Sequence, residues 1–331
     1  MTRGVVLFGC PRTEGGANTE AGHTALLWRS MGIPVTVLPT AQEPPENPWP
    51  KMLADAGCVV KPEIKPDNLV RQPWLFRSII VDFACERAVR QWNKLARMGC
   101  RLIHCPTHCF TQPWEHDAFR HRPPTVVVFE SRFQRDCLSL QYSSYGVPES
   151  RMVVIHGAFN QDAFPFAPRA HGPREPFAVG RLARPVEAKW PRRLVDILIK
   201  AGEHSPVPIE GDLMGWTPSM EKFSGKLPAW IYARGPCSLP VPEYLSGLHA
   251  MLAVGDCYEN WSRVVLEAFA VGVPVIADRR GGLREQIVHG ETGFLCDTVE
   301  EAAEAIVRLA CDEKLRLRIA RQARGSLATL A

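Results

Sequence analysis

The stretch Glu259-Asn-Trp-Ser-Arg-Val-Val-Leu-Glu267, followed at once by Ala268-Phe-Ala-Val-Gly-Val-Pro-Val-Ile-Ala277, reads as loop, helix, tight turn and buried strand. Ser262 is a candidate N-cap, Arg263 to Val271 a helix, Gly272 its closing residue and Val273 to Ala277 a short apolar strand. In an open α/β sheet, ligands bind in the crevice at such loop–helix junctions. The helix start offers unpaired N–H groups and a positive dipole end, which suit a phosphate. The two carboxylates beside it, Glu259 before the helix and Glu267 within it, would repel an anion but accept from hydroxyls. Hydroxyls plus phosphate suggest a nucleotide sugar.

Outward from this stretch, the second half of the chain continues in the same grammar. A linker-like run, Phe164-Pro-Phe-Ala-Pro-Arg-Ala-His-Gly-Pro-Arg-Glu175, precedes a strand at Phe177 to Val179, a loop, and a helix around Pro191 to Ala201. Strands and helices then alternate to about residue 310, and Val299 to Leu330 reads as helical. The first half follows suit. A strand at Val5 to Phe8 leads through a loop containing Gly15-Gly16 to a helix from Thr19 to Met31, and a strand at Val35 to Leu38 follows. Cys10 to Ala17 is not a Gly-x-Gly-x-x-Gly fingerprint. Prolines punctuate 41 to 73 around the strand-like Cys58-Val59-Val60. A long helix is expected over Ile79 to Met98, then strands at Arg101 to His104, Thr125 to Phe129 and Met152 to Ile155. Strands alternating with helices in both halves imply an α/β protein of two Rossmann-like parallel-sheet domains facing a cleft, residues 1–168 and 169–331.

Composition narrows the class. The chain has 331 residues, 46% hydrophobic and 22% charged, with a net charge of +4. The halves carry 18 Lys/Arg against 15 Asp/Glu and 21 against 20, so neither is an electrostatic specialist. No apolar run reaches bilayer length, and Gly4-Val-Val-Leu-Phe-Gly9 is too short for a signal peptide. The eleven cysteines are scattered and read as reduced thiols of a cytoplasmic protein.

Arg181, at the end of the Phe177 strand after Gly180, and Lys189 in the next loop would both sit at the carboxyl edge of the second sheet. Two cations converging on a diphosphate give charge-assisted hydrogen bonds and stabilise a departing nucleoside diphosphate. His104 and His108, in His-Cys-Pro-Thr-His-Cys, have poor spacing for zinc, because Pro106 turns a strand end into a loop. A neutral His104 at the sheet edge, contacting acceptor or donor sugar, competes with a packed, hydrogen-bonded histidine. No Asp-x-Asp occurs, so the chemistry is expected to need no metal and no cofactor beyond the nucleotide-sugar co-substrate. Within Ile79 to Met98, Arg87, Arg90, Lys94 and Arg97 form one basic stripe. A solvated face is the first reading; peripheral contact with an anionic membrane, or with DNA, is the second.

Phe177-Ala-Val-Gly-Arg-Leu182, Glu259 to Glu267, Gly272-Val-Pro-Val-Ile, Gly281-Gly282, Glu285 and Gly290-Glu-Thr-Gly-Phe-Leu295 together resemble the donor domain of retaining glycosyltransferases of the family 4 type (glycosyl transferases group 1). Those enzymes have the GT-B architecture. The resemblance covers most of 176 to 311; in the first half it rests on Gly15-Gly16, Val154-Ile-His-Gly157 and Phe164. It implies that Glu267 accepts from the ribose hydroxyls and that Glu259 contacts the donor sugar. It also implies that Arg181 and Lys189 bind phosphate. Backbone N–H groups near Ser262 and Arg263, within the donor segment Asn260-Trp-Ser-Arg-Val264, would hold diphosphate oxygens. Gly15 and Gly16, with His108, would line the acceptor side. Three departures stand out: a longer interval between Arg181 and Lys189, Trp190 where a glycine commonly follows the lysine, and Trp261-Ser262 in place of Phe-Gly.

The resulting expectation is metal-independent transfer of a sugar, with retention of configuration, from a nucleotide sugar to a hydroxyl acceptor. The acceptor would be a small molecule, glycan or lipid-linked group, with a modified base of DNA as the minority case. A sugar-nucleotide epimerase of the same fold and a catalytically silent binding module are the competing readings.

Overall fold

The computed structural model describes residues 4–9, 11, 15–39 and 46–330. The chain divides into two compact units, Met1–Phe159 and Asn160–Ala331.

The first unit is a parallel sheet of seven strands in the order β3-β2-β1-β4-β5-β6-β7. Along the chain run β1 (Val5–Phe8), α1 (Gly16–Ser30), β2 (Val35–Leu38), α2 (Trp49–Asp55), β3 (Val59–Val60), β4 (Ile79–Phe83) and α3 (Glu86–Arg97). After them come β5 (Arg101–Cys105), α4 (Pro113–Phe119), β6 (Val126–Phe129), α5 (Arg132–Ser144) and β7 (Met152–Val154). Alternation along β1 divides the core. Leu7 faces Ala21 and Ala25 of α1 and Leu53 of α2, whereas Val6 and Phe8 face the cluster that holds α3, α4 and α5.

One expectation is corrected here. Ile79 to Phe83 is not the start of a long helix but the strand β4, paired with both β1 and β5; the helix begins only at Glu86. Ile79, Ile80 and Val81 are β-branched, the last two are buried at a central strand, and Ala84, with φ +45°, breaks the run between strand and helix. The basic stripe survives on α3 itself. Arg87, Arg90 and Arg97 are exposed, while Ala88, Trp92 and Leu95 face the core.

The second unit repeats the plan with six parallel strands in the order β10-β9-β8-β11-β12-β13. Its elements are β8 (Phe177–Leu182), α6 (Arg192–His204), β9 (Ile209–Met214), α7 (Glu221–Ser224), β10 (Ile231–Arg234), α8 (Val241–Ser246), β11 (Ala250–Ala253) and α9 (Arg263–Val271). The chain ends through β12 (Val275–Asp278), α10 (Leu283–Gln286), β13 (Gly293–Cys296), α11 (Val299–Cys311) and α12 (Glu313–Leu330). In both sheets the strand order reverses once, between β1 and β4 and between β8 and β11, and the loops leaving the carboxyl ends diverge there.

The segment before β8 belongs to the second unit: the Ala167 N–H donates to the Val271 carbonyl, and Phe166 packs beside Gly272. Gly272 closes α9 in the left-handed region at φ +98°, and a Cβ there would stand 2.8 Å from the Phe166 ring. Gly272→Ala is therefore expected to lower unfolding free energy by about 1–2 kcal/mol, from left-handed strain plus the ring contact. A urea midpoint equal to wild type would show that neither constraint is felt.

Candidate donor site at the carboxyl edge of the second sheet

Arg181 ends the buried face of β8 and is 5% exposed. Its guanidinium reaches across the reversal point: Nη1 donates to the Leu252 carbonyl of β11 at 3.0 Å, and Nε and Nη2 donate to the Lys189 carbonyl at 3.2 and 3.0 Å. Burial pushes its pKa down, opposed by the nearby charges of Glu259 and Asp278. Of five N–H groups, these bonds leave one on each terminal nitrogen.

Those bonds shape the loop after β8. The interval that looked too long folds into a 3-10 turn over Glu187–Lys189, and the Asp256 N–H donates to the Ala188 carbonyl at 2.7 Å. Lys189 is thereby carried to Glu259, with which it forms an ion pair; their side chains are 17% and 28% exposed. Trp190 is fully buried, set edge-on to Trp216, with its indole N–H on the Arg184 carbonyl at 2.9 Å. A tryptophan at that position is core, which accounts for the departure from glycine.

The loop after β11 carries Glu259 and Asn260 and rests on the loop after β12. The Gly282 N–H donates to the Glu259 carbonyl at 2.7 Å, and a Cβ on Gly282 would lie 1.6 Å from the Asn260 carbonyl oxygen. Backbone therefore packs on backbone, and Gly282 is required by space. Asp278 fixes the other side of the same loop: its Oδ2 accepts from the Gly255 N–H at 2.9 Å and from Arg193 at 2.9 Å and Arg280 at 3.2 Å.

Ser262 is the N-cap of α9, as expected, but its hydroxyl makes no capping bond. Buried Gln286 holds the Ser262 backbone in place. Its Oε1 accepts from the Ser262 N–H at 2.9 Å, and its Nε2 donates to the Ser262 carbonyl at 3.0 Å. The Ser262 N–H is thus committed within the protein, and phosphate-facing donors are to be sought one step on, among Arg263, Val264 and Val265 in the first turn of α9. Asn260, Trp261 and Arg263 are buried, Val264 is partly exposed, and Gly180 packs beneath Leu248 and Tyr244 as a strand residue. Glu267 lies half-buried one turn beyond Arg263. It accepts no hydrogen bond among the described residues; burial pushes its pKa up, and Arg263 draws it partly back. Arg193, Asp278, Arg280 and Gln286 were not anticipated, since none belongs to a recognisable spacing.

In the first unit, His104 takes the packed, hydrogen-bonded alternative: it is fully buried between two carboxylates. Nδ1 lies 3.0 Å from Asp82 Oδ1 and Nε2 lies 3.0 Å from Glu115 Oε1, so both ring nitrogens donate to carboxylates. Desolvation opposes the charge, but Asp82 and Glu115 overcome it and raise the pKa to about 10. His104 is a structural imidazolium tying β4, β5 and α4 together. His108 stands exposed in the following loop, its ring 5.1 Å from Phe110. Gly15, with φ +94°, and Gly16 open α1 after β1; Cys10 and residues 12–14 lie outside the described residues. On α3, Arg90 pairs with Glu86 at 2.8 Å and Arg87 with Glu63 at 3.6 Å, the arrangement of a solvated helix face. Among the described residues, no group of three His, Cys, Asp or Glu is placed to hold a metal, and no helix is long and apolar enough to cross a membrane.

Two predictions follow from this geometry. Because His104's folded pKa lies above its ordinary 6.5, its stabilisation is complete below that value and is lost as pH rises through about 10. Urea midpoints of the wild type should therefore fall across that window, and His104→Asn should be destabilised at neutral pH by about 3–5 kcal/mol, with two carboxylates left facing each other. A flat wild-type profile would place the proton elsewhere. Gly282→Ala should cost roughly 1–3 kcal/mol by displacing the Asn260 carbonyl; wild-type stability in that variant would mean the two loops are not held together as described.

With this geometry in place, comparison with known proteins is informative. Residues 239–326 match the family model "Glycosyl transferases group 1". The chain is similar to N-acetyl-alpha-D-glucosaminyl L-malate synthase of Bacillus anthracis, 38% identical over 89 residues, 26% of this chain and 23% of that protein. It is similar to D-inositol 3-phosphate glycosyltransferase of Corynebacterium efficiens, 37% identical over 87 residues, 25% and 20% of the two chains. The aligned stretch thus spans about a quarter or less of these curated relatives' length. A longer alignment, 28% identical over 251 residues, covers 66% of this chain and 63% of the GDP-mannose-dependent alpha-(1-6)-phosphatidylinositol monomannoside mannosyltransferase of Mycolicibacterium smegmatis. Among solved structures, Anabaena HepE in complex with UDP-glucose superposes with a TM-score of 0.72 over 98% of this chain and 94% of its own, at 17% identity. Sucrose-phosphate synthase from Thermosynechococcus elongatus gives 0.72 over 99% and 94%, at 16% identity. The two parallel-sheet units thus have the GT-B fold, and residues 239–326 of the second are similar to the glycosyl transferases group 1 model.

Proposed function

We propose that this chain is a retaining glycosyltransferase, transferring a sugar from a nucleotide sugar to a hydroxyl acceptor without a metal ion. The observation that carries the reading is Glu267: a half-buried carboxylate that accepts no hydrogen bond among the described residues, its charge disfavoured by burial, set one turn into a helix whose first N–H groups suit phosphate. A ribose supplies two O–H donors to such a carboxylate, and the diphosphate then falls toward the helix start. On this reading Lys189 exchanges Glu259 for a diphosphate oxygen, and Glu259 exchanges Lys189 for sugar hydroxyls. The two N–H groups that Arg181 keeps free of carbonyls add to the charge compensation of the leaving group. Same-face attack, with the donor's own phosphate taking the acceptor proton, then needs no protein base.

The names of the relatives support this class. They are an N-acetylglucosaminyl malate synthase, inositol phosphate glycosyltransferases and a phosphatidylinositol monomannoside mannosyltransferase, and the superposing HepE structure is a complex with UDP-glucose. Each of the named acceptors offers a hydroxyl, and none of these names is that of an epimerase. We take the acceptor to be a hydroxyl on a small polar or lipid-linked molecule.

A thermal-shift panel of UDP, GDP, ADP and TDP sugars should show stabilisation by one nucleotide class, since a ligand that binds only the native state raises the midpoint. Glu267→Ala should then weaken that donor roughly 10–100-fold, from the loss of hydrogen bonds to a charged group. Wild-type affinity in calorimetry would remove the ribose assignment. Because Glu267's pKa is raised, wild-type donor affinity should begin to fall at a pH above the usual carboxylate range. Lys189→Ala should lower kcat by roughly 100-fold or more while the loop, held by Arg181, stays in place. Turnover that EDTA abolishes and added divalent metal restores would overturn the metal-free part.

A further inference from the structure

A buried side chain of α5 fastens the loop between β5 and α4. Gln134 Nε2 donates to the carbonyl of Pro106 at 2.7 Å and to that of His108 at 3.0 Å, and Gln134 Oε1 accepts from the Glu130 N–H at 2.8 Å. Gln134 is 0% exposed, so this docking is a built feature of the first unit. One turn further along α5, on the same face, stands Cys137. The residue after His108 is Cys109. Both are free thiols, Cys137 exposed and Cys109 half-buried, and the two side chains are in hydrogen-bond contact.

We propose that Cys109 and Cys137 are a redox-modifiable pair whose oxidation closes an intramolecular disulfide and locks the loop of residues 106–112 onto α5. A disulfide needs thiols already close and backbones able to approach to about 6 Å between Cα atoms, and a loop docked on a helix can supply both. Burial and Asp136 hold the Cys137 pKa up, with the Cys109 contact drawing it partly back, so the reacting thiolate is a minor fraction; with hydrogen peroxide as oxidant, that thiolate attacks a peroxide oxygen and the O–O bond breaks, giving a sulfenic acid and one water. The Cys109 thiolate then attacks that sulfur; the S–S bond forms, the S–O bond breaks and the hydroxide leaves as a second water. Two thiols and one peroxide become one disulfide and two waters. Proximity makes the second step intramolecular and faster than capture by a thiol in solution. Other cysteines are placed differently: Cys58, Cys100, Cys105 and Cys296 are buried, while Cys237 and Cys311 are exposed in the second unit.

The functional consequence rests on the glycosyltransferase reading. His108 and Phe110, both exposed on the same loop, would lose freedom on the acceptor side while Lys189, Glu259 and Glu267 are untouched. Oxidation should then change the KM for the acceptor and leave donor affinity as it was.

The test for the disulfide itself needs no activity. The full chain is treated with hydrogen peroxide, alkylated without reduction, digested and examined by mass spectrometry. The expected result is a peptide pair joined through Cys109 and Cys137, formed equally at dilute and concentrated protein, reversed by dithiothreitol and absent in Cys137→Ser. Absence of that pair in the wild type, or its appearance only between two copies of the chain, would overturn the proposal. If the cross-link forms but acceptor KM does not move, the disulfide stands and the assignment of this loop to the acceptor falls.

Discussion

A buried guanidinium bonded to carbonyl oxygens at the strand-order reversal of the second sheet organises everything around it. Arg181 lies where β8 and β11 part, and it holds the end of one strand and the loop following the other through Leu252 and Lys189. Burying a cation costs several kcal/mol unless its N–H groups are met. Carbonyls meet them here without cancelling the charge, and the Glu259 and Asp278 carboxylates nearby favour it against burial. The position of Lys189 follows from Arg181, the Lys189–Glu259 pair follows from that position, and the Asp256 to Ala188 bond closes the loop.

The two sheets share one strand logic but carry opposite kinds of polar cluster. In the first unit Asp82, His104 and Glu115 satisfy each other: both imidazole nitrogens and a carboxylate oxygen from each side are engaged, and the remaining oxygens accept from the Cys85 and Gln112 N–H groups. Such a network has no capacity left for a ligand, and its contribution is to pin Ala84, with its strained φ of +45°, at the reversal between β1 and β4. In the second unit Glu267 accepts no hydrogen bond among the described residues, and burial disfavours its charge. On the proposed reading a ligand hydroxyl would supply the missing donor. The distinction between architecture and site is therefore one of satisfaction rather than residue type.

This distinction also explains what could be read from the chain in advance. The α9 segment was legible residue by residue, Arg263 to Val271 with Gly272 closing it, because apolar periodicity and a left-handed glycine are local signals. Two parallel sheets were legible from alternation. Ile79 to Phe83 was not, because a short apolar run next to a helix fits either period, and only pairing with β1 and β5 decides it. For His104 the chain left two readings open, because its partners lie 22 and 11 residues away and nothing at His104 announces them. The position of the Ser262 cap was legible but its partner was not: Gln286, 24 residues later, bonds the Ser262 backbone N–H and carbonyl, and no spacing marks it. Local signals gave the elements; satisfaction of buried polar groups is nonlocal and had to be seen.

The Lys189–Glu259 pair carries that argument one step further. Both side chains keep some exposure, so the pair itself adds little to stability and costs little to part. What it does in the free protein is hold each charge at the position where its proposed ligand group would arrive, without a water-filled gap to reorganise. A phosphate for Lys189 and a hydroxyl for Glu259 replace one contact with two of the same sign and similar geometry. Preorganisation of this kind is where electrostatic catalysis draws most of its strength, because no dipole has to turn when charge develops on the leaving group. On the proposed reading it would also restrict the donor to a molecule presenting an anion and a hydroxyl together: a bare diphosphate would engage Lys189 and leave Glu259 facing an anion.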